Sequence, residues 1–296
     1  MKTYLDCIPC IMRQALDAAR LSTNDEKTHS IILKQVMFFL LDFFQSDSLD
    51  NSLTPPELAR HVYRIIKEIT KCKDPYHEIK VKYNQIVLKM YSEIKNMVEN
   101  SSDPLFAAIR FAIAGNIIDF GANGGKFDLE ATLKEALTLE FAVCDYDVFC
   151  DNLKVAKTLL YLGDNAGEIV FDKLLIEEIL KKYKLKVYYA VKSEPVINDA
   201  TKEDAMQVKM NDVAEVIDSG SDAPGTILNL CSEKFLKIYN NADIIISKGQ
   251  GNYEALSEEN KKEIFFLLKA KCALIARHLG VKIGDMVLNA KLKEVN

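Results

Sequence analysis

The stretch TLLYLGDNAGEIVFDKLLIEEILKKY, residues 158–183, decides the fold. Its first residues form an almost unbroken apolar run that stops at Gly163, short enough for a strand buried on both faces. A small polar turn follows, and the remainder reads as a helix. The same alternation continues downstream. KVYYAV (186–191) precedes a polar helical turn, AEVID (214–218) precedes TILNLCSEKFLKIY, and DIIIS (243–247) leads into a short helix and IFFLLKA (264–270). Strands alternating with helices imply βαβ units. The expected fold class is therefore α/β, a mainly parallel sheet flanked by helices.

Upstream the pattern is different. Residues 1–110 read as helices throughout, and the chain carries an all-helical N-terminal domain. Ile31, Ile32, Val36, Phe39 and Leu40 recur at three-and-four spacing. Thr54-Pro55-Pro56-Glu57 has the signature of a helix start, with an N-cap Thr, early prolines and a Glu three residues on. A helix is expected from about Ile79 to Val98, and Ser102-Asp103-Pro104 opens another. GNIIDFGANGG (115–125) is the most glycine-dense stretch. Read as the connection, it divides the chain into a helical domain, 1–114, and an α/β core, 115–296.

With 38 Lys+Arg against 43 Asp+Glu, the 296-residue chain carries a formal charge of −5, so nucleic acid is not the expected partner. No apolar run approaches the ~18 residues of a membrane span. Seven cysteines, an odd number, and an N-terminus without a continuous apolar leader point to a reducing, cytoplasmic setting.

In open α/β sheets ligands bind beyond the C-terminal strand ends. Several such ends here carry polar clusters. Gly163-Asp164-Asn165-Ala166-Gly167-Glu168 offers hard oxygen donors suited to Mg²⁺ or Mn²⁺, with glycines that let backbone approach a bound group. Taken alone it is as well explained by a capped turn. Glu194-Pro195-Val196-Ile197-Asn198-Asp199-Ala200-Thr201 supplies a second carboxylate at another strand end, as a divalent-metal site requires. Ser247-Lys248-Gly249-Gln250-Gly251 sets a lysine against glycines, a phosphate contact of point charge plus backbone amides. It is not a P-loop. Asp218-Ser219-Gly220-Ser221-Asp222 and the following Ala223-Pro224-Gly225-Thr226 add hydroxyls and flexible backbone.

Together these motifs resemble the DUF89 family, the damage-control phosphatases that include the ARMT1-like metal-binding domain. GDNAGE (163–168), EPVINDAT (194–201), SGSDAPGT (219–226) and SKGQGNYE (247–254) carry the resemblance. CIPCIMRQ (7–14), DPYHEIK (74–80) and GNIIDFG (115–121) match its shorter, microbial-type subgroup. The resemblance implies a phosphohydrolase of small phosphorylated metabolites that depends on a divalent metal ion, Mg, Mn, Co or Ni. It places the metal ligands on Asp164, Asn165 and Asp199, and the catalytic set on these with Lys248. It places phosphate or substrate contacts on Asn116, Asp119, Lys248, Gly249 and Glu254.

Other features admit blander readings. Cys7-x-x-Cys10 is read as packing, half a metal site or a redox pair, and Cys72 is a candidate neighbour. The four histidines have no metal-like spacing, and no GxSxG elbow supports a serine hydrolase. Phe38, Phe39, Phe43 and Phe44 are read as core. Two rival functions stay open: a non-catalytic module that binds phosphometabolite or metal, and a carboxyl methyltransferase, which lacks its usual glycine-rich loop here.

Overall fold

The computed structural model describes residues 1–45, 53–115 and 137–293. Among the described residues five full helices come first: α1 (Cys7–Ser22), α2 (Glu26–Gln45), α3 (Pro55–Thr70), α4 (His77–Glu99) and α5 (Pro104–Ala114). Their ends follow the local chemistry. At α3 the Thr54 N–H donates to Glu57 Oε2 at 2.7 Å and the Glu57 N–H returns to Thr54 Oγ1, closing a capping box. At α5 the Phe106 N–H donates to Asp103 Oδ1, with Pro104 in the first turn.

The α/β part begins with β1 (Phe141–Cys144), α6 (Tyr146–Val155), β2 (Thr158–Leu162) and α7 (Glu168–Lys182). It continues through β3 (Lys186–Val191), α8 (Lys202–Gln207), β4 (Glu215–Asp218) and α9 (Glu233–Asn241). It ends with β5 (Ile244–Lys248), α10 (Gly249–Leu256), β6 (Ile264–Lys269), α11 (Ala273–Leu279) and β7 (Met286–Lys291). The seven strands order as β1-β7-β6-β5-β2-β3-β4. β2 to β6 run parallel, whereas β7 pairs antiparallel with β6 and parallel with β1. The fold is α/β with a mainly parallel sheet, as the strand–helix alternation implies.

The central strands β5, β2 and β3 bury both faces, so their side chains divide between two cores. Leu159, Tyr161, Val187, Tyr189 and Ile246 join α4, α5, α6 and α7 on one side. Leu160, Leu162, Ala190 and Ile245 join α9, α10 and α11 on the other. Helices α1 to α3 make a third cluster of their own around Ile11, Ala15, Ile32, Val36, Leu58, Val62 and Ile66. Thus α4 and α5 pack on the sheet, and α1 to α3 stand beside its C-terminal edge.

Of the four phenylalanines expected in the core, Phe38 is 66% exposed and Phe44 is 44% exposed. Only Phe39 and Phe43 pack against the α1–α3 cluster. Helix α2 buries a single stripe, and the outer pair of rings lies on its other side. No described helix is long and apolar enough to cross a membrane.

Candidate active site

Because β5, β2 and β3 are neighbours, their three C-terminal loops meet at one edge of the sheet. The β2 and β3 loops are zipped together by backbone bonds: Ala166 N–H to Asn198 O at 2.9 Å, and Ala200 N–H to Asp164 O at 2.8 Å. Asn165 and Asp199 form an isolated antiparallel bridge. This pairing sets Asp164 and Asp199 side by side, both buried. Desolvation and the nearby Asp199 charge push the Asp164 carboxyl up to about 6. Desolvation likewise pushes Asp199 up to about 6, against the pull of Lys192. Asp199 Oδ2 is buried without a hydrogen bond, and its nearest cation is Lys192 Nζ at 3.6 Å.

Asn165 lies between carboxylates, its amide N–H groups donating to Asp164 Oδ2 at 3.0 Å and Glu168 Oε1 at 2.8 Å. That leaves its oxygen as a third hard donor. Among the described residues no three His, Cys, Asp or Glu side chains group closely enough to hold a metal. A cation held here would therefore draw on an amide oxygen as well as carboxylates. Two crowded buried carboxylates, one with an orphaned oxygen, fit a hard divalent cation and are poorly satisfied without one.

Lys248 ends β5 and is 1% exposed. Its ammonium reaches Asp172 at 2.9 Å and Glu168 at 3.3 Å. Burial opposes the charge, but Asp172 and Glu168 outweigh it and raise the lysine's pKa. Asp172 is fixed in turn by Tyr161 and Tyr189 hydroxyls at 2.7 and 2.8 Å. Glu168, desolvated beside Lys248, is pushed up to about 7. Lys248 is thus held in a buried carboxylate network, and the residues that line the neighbouring cleft do not include it. Gly249 has φ +80° and abuts Asp164: a Cβ there would sit inside the carboxylate's van der Waals envelope. Asn252 ties the loops together, donating to Gly163 O and Lys248 O and accepting from Thr226 Oγ1.

Above these residues opens a cleft of about 390 Å³. Asp164, Asn165 and Asp199 form part of its floor, and Pro224, Gly225, Gln250, Gly251 and Glu254 one side. The opposite wall comes from α1 and α3 through Cys7, Cys10, Ile11, Pro55, Pro56 and Ala59. Glu254, half-buried there, is pushed up to about 7 by desolvation. Lys271 and Cys272, at the end of β6, also line the cleft, and the Lys271 charge acts on Asp164. The strand-end reading missed both, although a lysine just after the IFFLLKA run is a signal of the same kind. Asn116 and Asp119 lie outside the described residues. Cys7 and Cys10 face the cleft, and burial pushes the Cys7 thiol up, away from thiolate chemistry.

Helix α4 props the loops after β2 and β3 from behind. Asn84, fully buried, accepts the Gly167 N–H at 2.6 Å through Oδ1. Its Nδ2 donates to Asp204 at 3.0 Å and Gln207 at 2.8 Å. Asp204 caps the segment after Asp199 by accepting Thr201 N–H and Oγ1–H. Lys80, from the DPYHEIK motif, bridges Asp74 at 2.7 Å and Asp204 at 3.6 Å.

The family model described as the damage-control phosphatase ARMT1-like domain matches residues 3–287. The chain belongs to this family. Among its relatives, an uncharacterised protein of Methanocaldococcus jannaschii is 40% identical, over 97% of this chain and 95% of that one. Damage-control phosphatases of Pyrococcus horikoshii and Archaeoglobus fulgidus are 33% and 34% identical. Each alignment spans 97% of this chain, and 97% and 98% of the relative. The crystal structure of a DUF89 family protein from Pyrococcus horikoshii superposes with a TM-score of 0.88 at 32% identity, covering 98% of this chain and 99% of that one. Phosphatase chemistry is the role by which the ARMT1-like family and these two relatives are named.

Proposed function

We propose that the protein is a divalent-metal-dependent phosphatase that hydrolyses monoesters of small phosphorylated metabolites such as sugar phosphates. The observation that carries this reading is the buried Asp164–Asp199 pair, with its orphaned oxygen, on the floor of a cleft. Asp164, Asn165 and Asp199 would hold the cation. When bound, it supplies charge neutralisation for the phosphate oxygens and activation of the attacking water.

The chain's own groups complete the task. Lys271 brings positive charge to the cleft for the phosphate. Lys248 offsets the negative charge of Glu168 and Asp172 and so fixes Glu168 against Asn165. Glu168, pushed up to about 7, is poised to exchange a proton near neutrality. The walls from α1 and α3 exclude bulk water and contact the alcohol portion of the substrate.

Phosphate release from a panel of phosphomonoesters tests the reading, with wild type and Asp164→Ala assayed in Mg²⁺, Mn²⁺, Co²⁺ or Ni²⁺ and in chelator. Metal-dependent release that vanishes in the variant is expected. Tight binding of an intact ester without turnover would instead identify a binding module.

A further inference from the structure

The face of α2 turned away from the rest of the protein is apolar. Ile31, Met37, Phe38, Leu41 and Phe44 are all exposed, Phe38 most of all at 66%. Their spacing of three, four and seven residues keeps them on one side of the helix, along about 20 Å of its length. Half-exposed side chains of this size present a few hundred Å² together, in the about 300–600 Å² range of a monomer's largest, commonly functional, patch. The inner face, Ile32, Val36 and Leu40, is already packed against α1 and α3. The cleft takes no lining residue from α2, so catalysis gives no reason for the outer stripe.

Two charges in the stripe indicate its occupant. Lys34 and Asp42 are exposed, each four residues from Phe38 and on opposite sides of it. At 100° per residue each lies about 40° around the helix from Phe38, one to either side. Among the described residues neither has an ion-pair partner. A second α2 laid antiparallel across Phe38 brings Lys34 opposite Asp42 of the partner subunit, and the two-fold axis repeats the pair. A parallel arrangement sets Lys34 against Lys34 and Asp42 against Asp42.

We propose that the outer face of α2 is a homodimer interface, formed by antiparallel pairing about a two-fold axis at Phe38. The ring of Phe38 packs on its counterpart, Ile31, Leu41, Met37 and Phe44 fill in around it, and two Lys34–Asp42 pairs set the register. The patch is smaller than the roughly 800 Å² per partner of a standard interface, so a dissociation constant in the micromolar range is expected.

Sedimentation velocity across 1–200 µM, on the full chain, tests this at the order of concentration where micromolar pairing shows. Wild type is expected to pass from monomer to dimer. Phe38→Glu should weaken pairing at least about 100-fold, as loss of a central anchor does. Lys34→Glu sets acid against acid, Asp42→Lys sets base against base, and each should weaken pairing about tenfold or more. The double charge reversal should restore it, and an equimolar mixture of the two single variants should form a mixed dimer. All these positions are exposed and outside the cleft, so melting curves and phosphate release at low protein concentration should match wild type. A chain that stays monomeric at 200 µM overturns the proposal. So does a dimer indifferent to Phe38→Glu, or single reversals that the double variant fails to rescue.

Discussion

Gly249 is the position at which one added methyl group reports on the whole site. Its φ of +80° lies in the left-handed region, and alanine there costs about 1–2 kcal/mol of backbone strain. The added Cβ would also overlap the Asp164 carboxylate, with even the farther oxygen, Oδ1, only 2.9 Å away. Since Cβ atoms do not approach oxygen closer than about 3 Å, the nearer oxygen must retreat by about 1 Å, and displacement of that size costs about 100-fold where geometry matters. Gly251, two residues on, supplies the control. A Cβ there meets nothing closer than Gly225 N at 3.5 Å, and its φ is ordinary. Gly251→Ala should keep Mn²⁺ affinity and gain up to about 1 kcal/mol of helix stability. Gly249→Ala should lose about 100-fold in Mn²⁺ affinity by calorimetric titration, with phosphate release falling in parallel and a melting temperature lower by a few degrees. Mn²⁺ binding and turnover within about threefold of wild type in Gly249→Ala would show that Asp164 does not work from its seat against this glycine.

Three further outcomes are expected. Asn84→Ala strips a buried acceptor from Gly167 and a donor from Asp204, so it should destabilise the protein by about 2–4 kcal/mol in urea unfolding and lower metal affinity as well. Arg64 and Arg60 outweigh the partial burial of Asp222 and hold its carboxyl below the ordinary range. Its folded-state pKa is thus below the unfolded one, so the stability that Asp222→Asn loses should be present at neutral pH. That difference should disappear as pH falls below the usual carboxylate range, followed by thermal melts of both proteins. For Asp164 and Asp199, raised to about 6, the sign is opposite: the folded state gains protons, and in chelator stability from this pair should rise as pH falls from 7 toward 5. Divalent ions must displace those protons, so their stabilisation of wild type should be larger at pH 7.5 than at about pH 5.5, where they compete, as melting temperatures will show.

Apolar runs bounded by glycine and polar turns located β2 to β6, because buried parallel strands leave a continuous hydrophobic signal. Capping chemistry located α3 and α5 equally well. β1 and β7 escaped. Phe141–Cys144 is only four residues long, and Met286–Lys291 alternates weakly at its outer end. That Asp164, Asn165 and Asp199 come together was legible because acid and amide groups directly after neighbouring strands are conspicuous. Lys248 was legible as a strand-end lysine, but its direction was not. Whether such a side chain turns up into a cleft or down onto Asp172 depends on a helix whose residue 172 gives no sign of being buried. The outer phenylalanines of α2 were misread for a related reason: in FFLLDFF nearly every side of the helix is apolar, so composition cannot tell the buried stripe from the exposed one.

The prop from α4 bears on how such chains can be recombined. Asn84 reaches 83 residues forward to Gly167 and 120 forward to Asp204. A chimera that joins the first 114 residues of one relative to the remainder of another separates the donors of these bonds from their acceptors. It inherits intact loops after β2 and β3 only where both parents agree at Lys80, Asn84, Asp204 and Gln207, whatever the quality of the seam between them.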